Sequence, residues 1–396
     1  YPIGIYVGVL LCLRLVSNSG NQFGSRSIPE YLGIRYQSAW IRILVSIFSL
    51  SLFFYLAGQL VSGIVMFEIM LGVPKMAALI ITSVVLLIYV VLGGAHADIL
   101  TDGVQGFIMV GVGVLVAVLF CLGYGIEGGF DGMISALGSQ DENLVGWLNV
   151  TDVLYHSWWA VFAVFLAHVP LGMLPHIGNK LWALKEPTQR MQFIRLAFVF
   201  ALILAMLGFG GIMARVILGE GIDSNQALAL LFIDLFPSWF AALLGVGILA
   251  AVMSTADGLV VSSSQIVAND LYRLSFVPRY RKDLSEEEIE RRSLNISRIS
   301  TVVIMILCTL LAWQTLDMNV TILVWIGVGC MMAAFAGPLI LGSVWSGVTK
   351  AGAFAGLLTG GGVYIITYLG VINPEWFGPG SLKDIALWLQ RESPNP

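Results

Sequence analysis

The segment SWFAALLGVGILAAVMSTADGLVVSSSQIVANDL, residues 238–271, gives the clearest indication of the fold class of this chain. It is longer than the roughly 20 apolar residues that a helix needs to cross the hydrocarbon core of a bilayer. Its middle nevertheless carries hydroxyls and a carboxylate, in the stretch AAVMSTADG at residues 250–258. Polar groups at membrane depth are costly and usually functional, so this segment predicts a membrane helix with a site inside it.

The composition of the whole chain agrees with a membrane protein. Of 396 residues, 58% are hydrophobic and 11% are charged, against roughly 45–50% and about 25% in soluble domains. The mean hydropathy is +0.89. A net charge of −4 offers no basic surface for nucleic acid, so we expect no nucleic-acid partner. The four cysteines lie in apolar segments without a CxxC pair and are predicted to be small core residues.

Long apolar segments recur along the chain and lack the alternation of strands. Since only helices and closed barrels satisfy their own backbone in lipid, the fold class is predicted as all-α, a polytopic membrane protein with about ten transmembrane helices. We expect it to lie in the plasma membrane, of the bacterial inner-membrane type, as a multi-pass protein. The predicted spans are 3–15, 39–71, 76–92, 99–124, 157–183, 192–218, 238–271, 298–315, 320–345 and 352–370.

Lysine and arginine residues set the predicted orientation, because cytoplasmic loops are enriched in them. If the loop after the first span is cytoplasmic, 16 of the 20 basic residues fall inside. The loop near 126–156 then lies outside, and it carries five carboxylates but no lysine or arginine. Residues 272–297 lie in the cytoplasm, where Ser285 and the glutamates after it predict a helix start.

A cation site is predicted within residues 250–258. Ala251, Ser254 and Thr255 have the spacing i, i+3, i+4, so one carbonyl and two hydroxyl oxygens share a helical face. Oxygen ligands suit a hard cation such as Na⁺. The alternative is that small and hydroxyl residues serve close helix packing here.

Two carboxylates add to this pattern. Asp257 lies within the same apolar helix, where a carboxylate normally faces a partner or a wet cavity. Asp102 follows GGAHADILT, residues 93–101, near the cytoplasmic mouth of the fourth span. The alternative for Asp102 is a cap on the start of that helix, an interpretation that fits Asp98 even better.

Together these segments resemble a known family, the sodium:solute symporters. Residues 93–105 resemble its GGxxAxxxTDxxQ segment, and residues 250–272 resemble its AAxMST…DLY segment. The stretch SIPEYLGIRY at 27–36 is similar to the family's amphipathic cytoplasmic segment, and Gly337-Pro338 is similar to the start of its late helices. The resemblance covers about residues 25 to 360.

The resemblance implies a LeuT-type inverted-repeat helical bundle with a site at the bilayer midplane. Residues 1–396 would form one transmembrane domain. It would comprise an incomplete first repeat at 1–125, a second inverted repeat at 157–346, and an extra C-terminal helix and tail at 350–396. The chain would then lack the N-terminal broken helix, which agrees with a start at Tyr1 and a short first span.

The resemblance also assigns ion residues. Ala251, Ser254 and Thr255 fall on the family positions that bind the conserved sodium. Asp102 falls on a carboxylate linked to a second sodium site or to the inward sodium exit. Asp257 departs from relatives with a second sodium, which place small hydroxyl residues nearby, so it joins Asp102 as a candidate for a second ion site or ion exit.

Solute contacts are predicted from a broken helix and from aromatic residues. Span five contains PLGMLPHIGNK, residues 170–180, whose prolines and glycines should break the helix and free backbone groups for a ligand. A histidine with a basic residue four positions later is similar to the monocarboxylate and pantothenate branches, although these usually carry Arg in place of Lys180. Tyr55 lies in a stretch that resembles the segment carrying a substrate-contacting tyrosine in the proline branch. The predicted solute residues are Tyr55, Gln59, Gly172, Pro175, His176 and Trp325.

The sequence therefore predicts a sodium-coupled symporter that imports a small organic solute, a monocarboxylate or a pantothenate-like anion. A proline-like amino acid, coupling to protons through Asp102 or Asp257, and a transporter-like sensor domain of a signalling protein are the alternatives. No Walker loop, zinc-ligand spacing or HExxH pattern indicates a pump or hydrolase, so we expect no enzyme activity and no organic cofactor. The expected partners are Na⁺, the solute and the lipid bilayer.

Overall fold

A computed structural model describes residues 2–15, 27–150, 155–182, 184, 186–342 and 345–371. Over these ranges the chain is helical and contains no strand. The predicted tail beyond Val371 lies outside the described residues. The helices are α1 (Pro2–Leu15), α2 (Ile28–Arg35), α3 (Ala39–Ser49), α4 (Leu52–Leu71), α5 (Lys75–Leu122), α6 (Gly129–Gln140), α7 (Trp158–His168), α8 (Pro175–Trp182), α9 (Pro187–Ala205), α10 (Gly208–Ile217), α11 (Ala227–Leu235), α12 (Ser238–Gln265), α13 (Val277–Tyr280), α14 (Glu286–Gln314), α15 (Val320–Phe335) and α16 (Lys350–Tyr368).

The apolar helices confirm the prediction of an all-α membrane protein. Six helical segments are long and apolar enough to cross a membrane, and four shorter apolar helices accompany them within the described ranges. Each predicted span overlaps one of these ten. The predicted helix start in the loop after α13 is also confirmed, because Ser285 Oγ accepts a hydrogen bond from the Glu288 N–H and α14 begins at Glu286.

Helix α5 differs from its prediction. It runs without a break from Lys75 to Leu122, where two spans with a loop between them were expected. Its two apolar parts are Lys75–Ile88 and Ile99–Leu122. Because the helix is continuous through this region, Asp102 and Asp98 are not at a helix N-terminus, and the capping alternative for both is wrong.

The fifth span is broken as the sequence predicts. Helix α7 ends at His168, a 3₁₀ turn follows over Pro170–Met173, and Leu174 is extended before α8 begins at Pro175. The cause is local. Pro170 and Pro175 have no N–H to donate, and the ring of Pro175 disfavours a helical conformation at Leu174, which is extended. The break lies in an otherwise apolar segment, where irregular backbone is tolerated only if protein covers it or a cavity adjoins it.

Helix α1 covers the break, and glycines on both sides allow the close approach. Helix α1 packs on the 3₁₀ turn. A Cβ at Gly8 would overlap the Val169 carbonyl oxygen, and a Cβ at Gly172 would overlap the Ile5 carbonyl oxygen. Only glycine lets the two backbones approach this closely, as is common where membrane helices meet.

Helix α12 lies at the centre of the bundle and contacts α4, α5, α8 and α14. The largest hydrophobic core draws on helices from both predicted repeats, including Leu60 of α4, Leu259 of α12 and Met331 of α15. The repeat boundaries themselves stay a prediction. For function, the important consequence is that α12 touches both α5 and the second half of the broken span.

The amphipathic segment α2 is tied to the ends of two later helices. Ser27 caps α2 and donates from its hydroxyl to Asp270 Oδ1 at 2.7 Å, in the π-helical continuation of α12 over Ile266–Phe276. Tyr36 donates to the Pro338 carbonyl at 2.7 Å, in the π-helical end of α15. The segment therefore links the early and late parts of the chain at one end of the bundle.

Two glycines of α16 provide a matched test of this packing. A Cβ at Gly360 would overlap the carbonyl oxygen of Ala333 in α15, whereas a Cβ at Gly362 meets nothing within 4 Å. We expect Gly360→Ala to destabilise the protein by about 1–3 kcal/mol through overpacking. Gly362→Ala should be neutral or stabilising by up to about 1 kcal/mol, because alanine is the better helix former. Thermal unfolding in detergent measures both, and equal midpoints would contradict the contact.

Candidate functional site

The three residues of the predicted sodium site lie on α12 with their oxygen atoms close together. The hydroxyls of Ser254 and Thr255 both donate to the Ala251 carbonyl oxygen, at 3.0 and 3.2 Å. All three residues are half-buried. A hydroxyl that donates its hydrogen keeps two acceptor lone pairs. The two side-chain oxygens therefore stay available to a cation, although the same back-bonds also satisfy hydroxyls in helices that bind nothing.

Asp257 lies on the same helix and is completely buried. One of its carboxylate oxygens accepts a hydrogen bond from the Gly258 N–H at 2.7 Å. A buried carboxylate is tolerated only with such partners. Its role at a second ion site stays a prediction.

Asp102 and Lys180 form an ion pair across the bundle. The Lys180 ammonium donates to Asp102 Oδ2, and the two side chains are 24% (Asp102) and 30% (Lys180) exposed. The pair joins α5 to the last turn of α8, so it fixes the short half of the broken span. Both residues were predicted near the cytoplasmic side, and their contact agrees with that placement.

Pro175 and His176 open the short helix α8. Pro175 is buried, and His176 is half-buried with its Nδ1 atom inaccessible to solvent. Among the described residues, His176 Nδ1 has no hydrogen-bond partner. An unpaired buried polar atom costs about 1–3 kcal/mol. This nitrogen therefore needs a hydrogen-bond partner that the described residues do not supply.

Tyr55, Gln59 and Trp325 lie on two helices that pack against each other. Tyr55 and Gln59 are half-buried, one turn apart on α4, and α4 contacts both α12 and α15. The closeness of α4 and α15 is seen at Gly327, where the Ser51 hydroxyl donates to the carbonyl oxygen at 2.7 Å.

The ring of Trp325 meets the broken span directly. It lies 6.0 Å from the ring of His168, centroid to centroid and edge-on. His168 is itself buried, and its Nδ1 is 2.5 Å from the Val164 carbonyl oxygen. Trp325 thus covers the last turn of α7, beside the break. Gly172, the remaining predicted solute residue, is buried against α1. Solute binding by all these residues stays a prediction.

The structure shows how the helices that carry the predicted residues meet. Helix α12, with the predicted sodium oxygens, contacts both α5 and α8, the two helices that the Asp102–Lys180 pair joins. Helix α4, with Tyr55 and Gln59, contacts α15, and Trp325 of α15 lies beside the end of α7. Within the described part of the chain, no cluster of three or more His, Cys, Asp or Glu side chains is arranged to hold a metal ion. The prediction of a cation site therefore rests on the oxygen atoms of α12.

Sequence reasoning missed two partnerships in this region. Asp102 and Lys180 were not predicted to pair, and Ser27 and Asp270 were recognised only as parts of motifs. In both cases the carboxylate lies in or next to an apolar segment, where it needs a partner. The partner itself could not be found without the fold, since 78 and 243 residues separate the two members.

Comparison with known proteins identifies a family that this chain matches. The sequence matches the family described as "Sodium:solute symporter family" over residues 1–360. A sodium/pantothenate symporter of Escherichia coli K12 is 26% identical over 90% of this chain and 71% of its own length. A high-affinity proline transporter of Bacillus subtilis is 27% identical over 92% of the chain and 77% of its own length.

A third relative and a solved structure agree with this family. A monocarboxylic acid transporter of Corynebacterium glutamicum is 24% identical over 91% of the chain and 68% of its own length. Among solved structures, a Na⁺-coupled sialic acid symporter in a substrate-bound outward-open state superposes with a TM-score of 0.61, at 16% identity, over 92% of this chain and 83% of that chain. This likeness shows a shared fold.

The Asp102–Lys180 pair allows a quantitative test with an internal control. In a double-mutant cycle of Asp102→Asn and Lys180→Gln, we expect a coupling free energy of about 1–3 kcal/mol, because both groups are largely shielded from water. The same cycle on Glu68 and Lys75, a more exposed pair 4.0 Å apart, should give less than about 1 kcal/mol. The free energy of unfolding in detergent measures both couplings. Similar values for the two pairs would contradict a structural role for the α5–α8 link.

Proposed function

Since the chain belongs to the sodium:solute symporter family, a family of multi-pass membrane transporters that couple solute import to sodium, we propose that its solute is a small organic anion of the monocarboxylate or pantothenate class. We propose further that it carries out no covalent chemistry and needs no organic cofactor. The observation that carries the proposal is the broken span, in which a histidine with an unpartnered buried nitrogen lies one turn before a lysine.

The sodium site is proposed on α12. The Ala251 carbonyl and the Ser254 and Thr255 hydroxyls provide oxygens on one helical face, and hard cations prefer oxygen. Helix α12 contacts α5 and α8, so an ion bound there lies next to the elements joined by Asp102 and Lys180. Asp102 is then placed to attract sodium as it leaves.

The solute site is proposed beside the break. His176 and the irregular backbone between α7 and α8 are the proposed hydrogen-bonding groups for a polar solute. Trp325 provides an apolar wall beside the end of α7, and Tyr55 is proposed to add a second wall from α4, which packs against the helix of Trp325. The relatives named as pantothenate and monocarboxylate transporters favour an organic anion for this site.

Transport then results from different affinities in different states. Sodium on α12 favours the conformation open to the outside, and solute at the break favours the occluded one. Loss of sodium toward Asp102 favours the conformation open to the inside. Helix α8 is the moving part in this scheme, because it carries solute groups at its start and the ion pair to α5 at its end.

A proline-like amino acid is the second candidate solute. The observation in its favour is the similarity to the proline transporter of Bacillus subtilis, at an identity close to that of the pantothenate symporter. A carboxylate is common to both solute classes, so the same break could accept either.

Uptake into proteoliposomes decides between these solutes. The full-length protein is reconstituted and offered radiolabelled pantothenate, lactate, propionate and proline. Uptake of each solute is measured once with a sodium gradient and once with a pH gradient in sodium-free buffer. The proposal requires sodium-driven uptake of an organic anion. If proline alone is taken up with sodium, the proposed solute class is wrong and a proline-like amino acid is the solute. Uptake driven by the pH gradient alone would overturn the proposed sodium site.

Removing the two hydroxyls tests the sodium site. We expect the double variant Ser254→Ala/Thr255→Ala to raise the sodium concentration for half-maximal uptake by about tenfold or more, since a bond to a charged group contributes about 1.5–3 kcal/mol. The matched control is Ser262→Ala on the same helix, whose hydroxyl also bonds back to a carbonyl, that of Leu259, at 3.1 Å. An unchanged sodium dependence in the double variant, or an equal change in the control, would contradict this assignment.

A further inference from the structure

A groove of about 600 Å³ opens at the end of the bundle where α3 begins and the extension of α12 ends. No residue of the proposed sodium or solute sites lines it. One wall is the first turn of α3 with Trp40 and Arg42, and the other is the π-helical segment and α13 with Phe276, Arg279 and Tyr280. Its size is that of a pocket for a small organic molecule.

Exposed aromatic rings line this groove. Trp40, Phe276 and Tyr280 are 58%, 44% and 62% exposed. The ring of Phe276 lies 5.1 Å from that of Tyr280 and 5.9 Å from that of the half-buried Tyr272, centroid to centroid. The three rings form a row, of which Phe276 and Tyr280 line the groove. Contiguous exposed aromatic surface marks a contact with a partner or with the membrane.

The charges in the groove are all positive. The Arg279 guanidinium lies 5.7 Å from the ring of Trp40 and 5.6 Å from that of Tyr280. Lys282 completes the rim, and no carboxylate is among the described residues that line it. Arg42 donates from its guanidinium to the Leu274 carbonyl oxygen and to Ser275 Oγ, so it points into the floor of the groove.

Neighbouring acidic groups do not neutralise Arg279 and Lys282, whereas Arg42 faces the carboxyl groups of Asp270 and Glu30. Asp283 follows Lys282 in the chain, but it pairs with Arg281, at 3.3 Å between Arg281 Nε and Asp283 Oδ1. That hydrogen bond holds the pKa of the Asp283 carboxyl below its ordinary value. Within the described part of the chain, neither Arg279 nor Lys282 forms an ion pair. The groove therefore suits an anion.

The position of the groove points to the source of that anion. It lies at the ends of the predicted spans 39–71 and 238–271, because its walls are the first turn of α3 and residues 271–282. The ends of spans lie near the boundary between hydrocarbon and water. The distribution of basic residues predicts that this is the cytoplasmic side, where anionic lipids give the membrane surface a negative potential. Basic pockets between membrane helices at this depth bind lipid head groups.

We propose that this groove binds an anionic phospholipid. The phosphate of the head group lies between Arg279 and Lys282, and an acyl chain runs along Trp40 and Phe276 into the bilayer. Aromatic side chains at this level have one face for the acyl chain and edges for the polar region. The bound lipid would join α3 to the end of α12, two elements that the Arg42 contacts already bring together.

Native mass spectrometry tests this site with the full-length protein purified in neutral detergent. The protein is titrated separately with phosphatidylglycerol and with phosphatidylcholine, and the apparent Kd of the first bound lipid is measured. We expect phosphatidylglycerol to bind more tightly. The variant Arg279→Gln/Lys282→Gln should weaken phosphatidylglycerol binding about thirtyfold, because each basic residue near a membrane surface contributes about fivefold in affinity for an anionic lipid.

The matched control is Arg291→Gln/Lys350→Gln, which removes one arginine and one lysine that are exposed, on the same predicted side and outside the groove. Its Kd for phosphatidylglycerol should stay within about twofold of the parent's. If the double variant at the groove fails to fold, Arg279→Gln alone is used, with about fivefold weakening expected.

Three outcomes would overturn the proposal. The first is equal binding of the two lipids by the parent protein, and the second is equal weakening in the groove variant and the control. The third is full displacement of phosphatidylglycerol by inorganic phosphate at the same concentration, which would assign the groove to a free anion.

Discussion

Inside hydrocarbon, backbone polar groups must be satisfied by protein, and this requirement shapes the whole bundle. The fifth span departs from regular helical hydrogen bonding between Pro170 and Leu174, where proline removes a donor and the helix cannot continue. The break is tolerated because neighbours cover it closely. Gly8 of α1 meets the turn at backbone distance on one side, and Trp325 covers the end of α7 on the other. A backbone break maintained at such a position is what a transporter needs to bind a polar solute in the membrane.

The second half of the broken span connects the proposed solute site to the proposed ion site. Helix α8 begins with His176 beside the break and ends with Lys180 on Asp102 of α5. Helix α12, with its oxygen face at Ala251, contacts both α5 and α8. The proposed ion and solute sites thus lie on elements that share contacts, and a change in the position of α8 would alter both. Coupling between them is then a difference in affinity between conformations, with no need for a direct contact.

The fold was largely predictable from the sequence, and the site only in part. Apolar length located the ten spans, and the prolines of 170–175 located the break, because both are local properties. The spacing of Ser254 and Thr255 located the oxygen face for the same reason. The continuity of α5 was not predictable, since a glycine pair in a helix resembles a loop signal when its neighbours are unknown. The pairing of Asp102 with Lys180 was not predictable either, because it depends on how distant helices pack.

Coupling of sodium on α12 to solute at the break can be measured as a binding linkage. Equilibrium binding of ²²Na⁺ to the purified full-length protein is measured with and without the best-transported solute, and solute binding is measured with and without sodium. Thermodynamic linkage requires both affinities to rise by the same factor, which for typical coupling is about 5- to 150-fold. Solute binding that is independent of sodium, together with sodium binding that is independent of solute, would contradict this coupling.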